Sequence, residues 1–204
     1  RTPELSQRVQ QIKEDLKAEI QKFYARFNFD ILVVQNALAI PVNTPLGLAI
    51  TEFIVETGIP TIAHHHDFYW ERDRFMVNAV QDYLNMAFPP VLPTIHHVVI
   101  NSVADAQLSL RTGVSARIAP NVMDFENPPP PPDEYTSDVR RALGIEDDEL
   151  FVLQPTRVVQ RKGIEHAIEM VHRLGRKAKL IISHASGDEG NEYKQLLVEY
   201  SRLM

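Results

Sequence analysis

The chain has 204 residues, room for one large domain or two small ones, with 44% hydrophobic and 24% charged residues, an ordinary globular balance. Its net charge of −6 argues against a nucleic-acid surface, which needs clustered, unbalanced Lys and Arg. The absence of cysteine excludes disulfides and thiolate chemistry, and no apolar run approaches the roughly 18 residues of a membrane span.

Leu5, Val9, Ile12, Leu16, Ile20, Phe23 and Phe27 step by three and four, which predicts a long amphipathic helix over residues 3–27. Its charged face alternates in sign and reads as solvated. A buried strand follows at 29–34, a helix at 45–57 with Gly58 as its stop, and a second strand at 59–64. Residues 73–87 read as one helix ending at Pro89-Pro90, and residues 96–100 as a third strand. Ser102 and Asp105 have the outline of a capping box, opening a helix that ends near Gly113, with a fourth strand at 114–119. Strands alternating with helices predict an α/β fold with a parallel sheet, whose ligands lie beyond the carboxyl ends of the strands.

After Pro120-Asn121-Val122-Met123-Asp124 comes Asn127 and five consecutive prolines, an extended connector more often a spacer than a docking ligand. A short helix at 136–143 precedes a second unit. There, residues 150–153 form an apolar run with the look of a strand covered on both faces, expected to stop at Pro155 because proline cannot donate to a ladder. Residues 156–163 form a loop carrying Arg157, Arg161 and Lys162. Ile164, Ala167, Ile168, Val171 and Leu174 then recur at helical spacing. A basic loop ahead of a helix N-terminus can hold an anion, through free amides, macrodipole and cations together. It can equally be a solvated surface loop. A further strand at 179–183 and a helix from about Glu189 complete the pattern; two strands bury little apolar surface, so the sequence reads as a piece of something longer.

Pro155-Thr156-Arg157, with Lys162-Gly163 five residues on and an amphipathic helix behind, resembles the donor-phosphate loop of retaining GT-B glycosyltransferases of family four (glycosyl transferases group 1). The family often has Gly where this chain has Thr156. The resemblance implies two Rossmann-like parallel-sheet units, both incomplete here: residues 1–125 from the N-terminal, acceptor-side unit, 126–135 a proline-rich linker, and 136–204 the start of the donor unit. It implies that Arg157, Lys162 and Gly163 grip the diphosphate of a nucleotide-sugar, with UDP, GDP and ADP not distinguished and no metal or cofactor. Residues 97–102 and 119–124 resemble a family strand ending in Ser and the family's interdomain signature, with Val122-Met123 in place of Gly-Val. Residues 179–190 sit where the family has a strand and a Gly-rich loop, although Ser183 and His184 stand where Gly is common.

His64-His65-His66-Asp67 follows the second strand, and if the strand persists, His64 and His66 share a face while His65 points away. These histidines can be polar caps at a strand end, or, with Asp67, the start of a zinc site lacking its remaining ligands. The resemblance implies instead that His66 is the catalytic histidine that contacts the transferred sugar. Arg72 and Arg74 can bind an anionic acceptor together with Asp67, or pair with Glu71 and Asp73 as surface ion pairs.

The expected function is transfer of a sugar from a nucleoside diphosphate to an acceptor hydroxyl (a sugar, a glycerate-like molecule or a lipid) with retention of configuration. The family's paired glutamates are missing: Glu126 and Glu134 straddle the prolines and cannot share a helix face. The true pair is expected beyond residue 204, so these residues alone should bind donor weakly and turn over little. A metal-dependent hydrolase or isomerase built on His64, His66 and Asp67, and a non-catalytic interaction domain, are the alternatives. The expected location is cytoplasmic, with peripheral membrane contact left open.

Overall fold

In the computed structural model, which describes residues 1–187 and 190–204, the chain divides into two units, Arg1–Asp124 and Phe125–Met204. Each is an α/β element built on a parallel sheet. Helix α1 (Pro3–Phe27) opens on proline, which is preorganised for a first helical position, with the Thr2 hydroxyl accepting from the Leu5 amide at 3.3 Å. Strand β1 (Leu32–Gln35) follows, two or three residues later than the apolar run suggested and buried only at Val34.

Helix α2 (Thr44–Thr57) is capped by the Asn43 side chain and closed by Gly58 at φ 66°. It leads to β2 (Thr61–His65). The single helix expected over 73–87 is two, α3 (Asp73–Met76) and α4 (Gln81–Ala87). Asn78 separates them, donating to the Phe75 carbonyl and accepting from the Val80 amide in an Asx turn that competes with the helical ladder. Strand β3 (Ile95–Val99) and helix α5 (Ser102–Thr112) come next. The capping box at Ser102 does not form. Asn101 caps α5 by accepting from Ala104, and Asp105 reaches forward to the Ala116 amide. The fourth strand shrinks to β4, Arg117–Ile118.

The sheet order is β1-β2-β3-β4, all parallel, with Leu32 opposite Thr61 and Thr61 opposite Ile95. Val34, Leu38, Phe53, Ile54, Ile59, Ala63 and Ile95 make one apolar cluster, to which α1 adds Ile20 and Tyr24. Ala39, Ile40, Phe68, Val99, Ala104 and Leu108 make another. Only part of the α1 stripe is used: Leu5, Phe23 and Phe27 remain exposed. The face expected to be solvated is instead a charged seam. Lys13, buried, pairs with Glu52 and Glu14, while Lys17 pairs with Glu52 at 2.9 Å and Glu56 at 2.7 Å.

In the second unit, residues 127–132 are exposed and carry no helix or strand. Helix α6 is short (Val139–Ala142). Strand β5 (Leu150–Arg157) runs past Pro155, because the ladder to β6 (Ala178–His184) breaks register between Gln154 and Arg157. Proline sits in that irregularity, where no amide is required. Nor is β5 covered on both faces, since Leu153 is 51% exposed. Helices α7 (Ile164–Arg173) and α8 (Glu192–Leu203) bound an apolar groove with Leu180 and Ile182 of β6. The helix start expected at Glu189 lies outside the described residues. Among the described residues no helix is long and apolar enough to cross a membrane.

Gly47 lies inside α2 against the Phe88 ring, and a Cβ there would come within 3.0 Å of three ring carbons. Gly47→Ala should therefore lower the thermal unfolding midpoint, overpacking costing about 1–3 kcal/mol against a helix-propensity gain of about 1 kcal/mol. A raised midpoint by calorimetry would refute this packing.

Candidate functional site

Parallel strands end together, so whatever follows them collects along one edge of the sheet. Here Gln35 ends β1 opposite His64, and His65 ends β2 opposite Val99. The alternation of the strand sends His65 into the core and His64 and His66 to the other side, their rings 4.7 Å apart. His66 is exposed, with its Nε2 3.3 Å from the Gln35 carboxamide oxygen.

Asp67 is held by partners other than the imidazoles. Its carboxylate accepts from the Asn36 carboxamide at 3.0 Å and from two guanidinium N–H groups of Arg72, one at 2.7 Å. Arg72 thus pairs with Asp67 rather than with Glu71 or Asp73. Glu71 accepts instead from the Phe68 amide, and the Arg74 guanidinium lies 4.7 Å from the centre of the Phe75 ring. This geometry disfavours the metal-site alternative: with Asp67 drawn off by Arg72 and Asn36, His64, His66 and Asp67 do not converge. Among the described residues no three His, Asp or Glu side chains are placed to hold a metal ion.

Two residues of this edge escape a reading by motif. Asn36 adopts φ 59° just after β1, and its side chain bridges to the two residues after β2. Its one signal is its type, since Asn is enriched at positive φ. His97 stacks on His65 at 5.2 Å, their nitrogens 2.9 Å apart, and alternation within β3 is what points it inward. Burial drives His65 down to about 3, with His97 and His64 adding repulsion. Burial likewise takes His97 to about 4, partly offset by the Pro90 carbonyl, and lowers His64.

The second unit holds the basic loop. Arg157 ends β5, is engaged within the protein, and has its Nη1 3.5 Å from where a Cβ on Gly187 would stand. The chain then turns through a single 3-10 turn at Gln160–Lys162, buries Val159, and enters α7 through Gly163 at φ 58°. Gln154 braces the turn by donating to the Lys162 carbonyl at 3.0 Å. Lys162 itself makes no ion pair among the described residues.

The helix end behind this loop differs from the open cradle expected. The Ile164 amide donates to the Tyr193 hydroxyl at 3.0 Å, the His166 amide to the Gly163 carbonyl at 3.1 Å, and Tyr193 in turn donates to Glu165. An anion here would meet a carboxylate in the first turn, so the cations of the loop are the features suited to attract one.

The geometry defines an α/β chain with parallel sheets, one carrying polar side chains at its carboxyl edge and the other a basic turn ahead of a helix. No family model matches the chain. It is similar to the mannosylglucosylglycerate synthase of Petrotoga mobilis, 38% identical over 165 residues, which are 79% of this chain and 38% of that protein. Its similarity to the mannosylglucosylglycerate synthase of Thermotoga maritima is 36% over 149 residues, 72% of this chain and 34% of the other. A mannosylglucosyl-3-phosphoglycerate synthase of Petrotoga mobilis is 26% identical over 171 residues, covering 77% and 33%. The chain therefore spans roughly a third of the length of these curated relatives.

The buried pair yields a stability prediction. Unfolded histidines titrate near 6.5 and these two near 3 and 4. The unfolded state thus binds more protons below about pH 6.5, and stability present above that pH is lost as pH falls. Between pH 7 and pH 5, where carboxylates are still largely ionised, stability should drop by about 2–4 kcal/mol. Urea unfolding at the two pH values measures it, and equal midpoints would contradict the burial of a neutral pair.

Proposed function

We propose that the chain is part of a glycosyltransferase that moves a sugar from a nucleoside diphosphate to the hydroxyl of a glycerate-bearing acceptor, with retention of configuration. The observation that carries the reading is the similarity to two proteins named mannosylglucosylglycerate synthase, at 38% and 36% identity over most of this chain. Products of that name join sugars to glycerate, hence the choice of acceptor over a lipid or a plain sugar. A GT-B arrangement of the two units, with residues 126–135 as linker, follows from the motif resemblance and is part of the proposal.

In this reading Arg157 and Lys162, with Gly163 allowing the close turn, hold the diphosphate. Negative charge grows there as the glycosidic bond to phosphate breaks, and preorganised cations lower that barrier most where charge develops. The leaving phosphate takes the acceptor's proton. His66, exposed at the end of β2 and able as a neutral imidazole both to donate and to accept, contacts the hydroxyls of the transferred sugar. Arg72 and Arg74 are the acceptor-side cations, with Asp67 orienting Arg72. The proposed location is cytoplasmic.

The test combines binding and turnover. In the full-length protein that carries these residues, titration with UDP, GDP and ADP should show one preferred base, and Lys162→Ala or Arg157→Ala should weaken that binding about tenfold or more. With the matching sugar nucleotide and glycerate or a glycosylglycerate, product by mass spectrometry should fall about 10²–10³-fold in either variant, and the product's anomeric signals report retention. Nucleotide binding indifferent to both substitutions would refute the assignment of the loop. Transfer with inversion would refute the stereochemistry.

A further inference from the structure

We propose that Asn36 is the positioning residue of the first unit's strand edge, setting the direction of His66 and of the Asp67–Arg72 pair; the inference rests on the transferase reading. The local geometry separates two jobs that usually coincide in such a residue. The turn after β1 is secured by backbone alone: the Asn36 amide donates to the His64 carbonyl at 2.8 Å, and the Asn36 carbonyl accepts from Ala39 at 3.1 Å. A glycine would make the same turn at φ 59° with less strain. The side chain is therefore not needed to bend the chain.

What the side chain does is clamp the end of the neighbouring strand. Its Oδ1 accepts from the His66 amide at 3.0 Å and its Nδ2 donates to Asp67 Oδ1 at 3.0 Å. Both partners lie just past the last ladder residue, His65, where pairing with β3 no longer holds the backbone. The His66 ring is exposed, with Gln35 Oε1 3.3 Å from its Nε2 and the His64 ring 4.7 Å away, so its direction depends largely on where its backbone aims it. From Asp67 the chain of contacts passes to Arg72, through Oδ2 and two guanidinium N–H groups. One carboxamide thus controls an imidazole on one side and a guanidinium on the other.

Asn36→Gly isolates the side chain, because it keeps the turn and removes both clamps. In the transferase assay the variant should lose about 10- to 100-fold in kcat/KM for the acceptor, with the donor KM and the melting midpoint little changed. In a His66→Ala, Arg72→Ala background the same substitution should cost less than about twofold, because a residue acting through two others is silent once both are gone. Full multiplication of the two effects, or unchanged kcat/KM in Asn36→Gly, would overturn the proposal. NMR of the histidine rings gives a second readout that does not depend on turnover. Contacts between the His64 and His66 rings should weaken in Asn36→Gly, and their persistence unchanged would also overturn it. Full-length protein carrying these residues, with intact ring contacts and no transfer from any sugar nucleotide, would instead sink the transferase reading, leaving the ring contacts to decide the positioning role.

Discussion

The parallel register of β1, β2 and β3 is the constraint on which the first unit depends. It sets Gln35 against His64 and His65 against Val99, so that three strands end within a residue or two of one another. Side chains alternate along a strand, and a slip of one residue would exchange the faces of β2. His65 would then leave the core and His66 would enter it without a partner. Thr61, Ala63 and His65 are the buried row of β2, and the apolar clusters that take in Val34, Ala63, Ile95 and Val99 from the same face hold the register that makes this row possible.

Each unit is stabilised internally by different means. The first has three apolar clusters and a polar seam. The second rests on two strands, with Val159, Ile164 and Leu197 among its few buried apolar residues. Its basic turn is correspondingly braced by polar contacts, Gln154 to the Lys162 carbonyl and Tyr193 to the Ile164 amide. Polar bracing of this kind holds a loop in place at modest net stability.

Elements whose signals are local were legible in the sequence. The bounds of α1, the Gly58 and Gly113 stops and the parallel α/β pattern follow from helical spacing, glycine and alternation. Where one side chain could serve two partners, spacing misled: Asp105 went to Ala116 rather than into a capping box, and Asn78 broke a helix that apolar periodicity ran together. Pro155 was read as the end of β5, yet a register break accommodates it. The strand-end position of His66 was legible, and so was its pairing of faces with His64. Its support was not, because Asn36 lies thirty residues away and nothing in the chain announces which turn folds back onto β2. The His65–His97 contact and the shift of Arg72 to Asp67 are likewise products of packing between elements.

The seam between α1 and α2 has a further consequence. Lys13 is buried with its ammonium shared between Glu52 and Glu14, and Lys17 binds the other oxygen of Glu52. A foreign amphipathic helix offering aliphatic side chains alone could cover the same area, but it would leave the half-buried Glu52 without a counter-ion. The face of α2 is therefore matched to its own helix by charge, and oily substitutes are turned away.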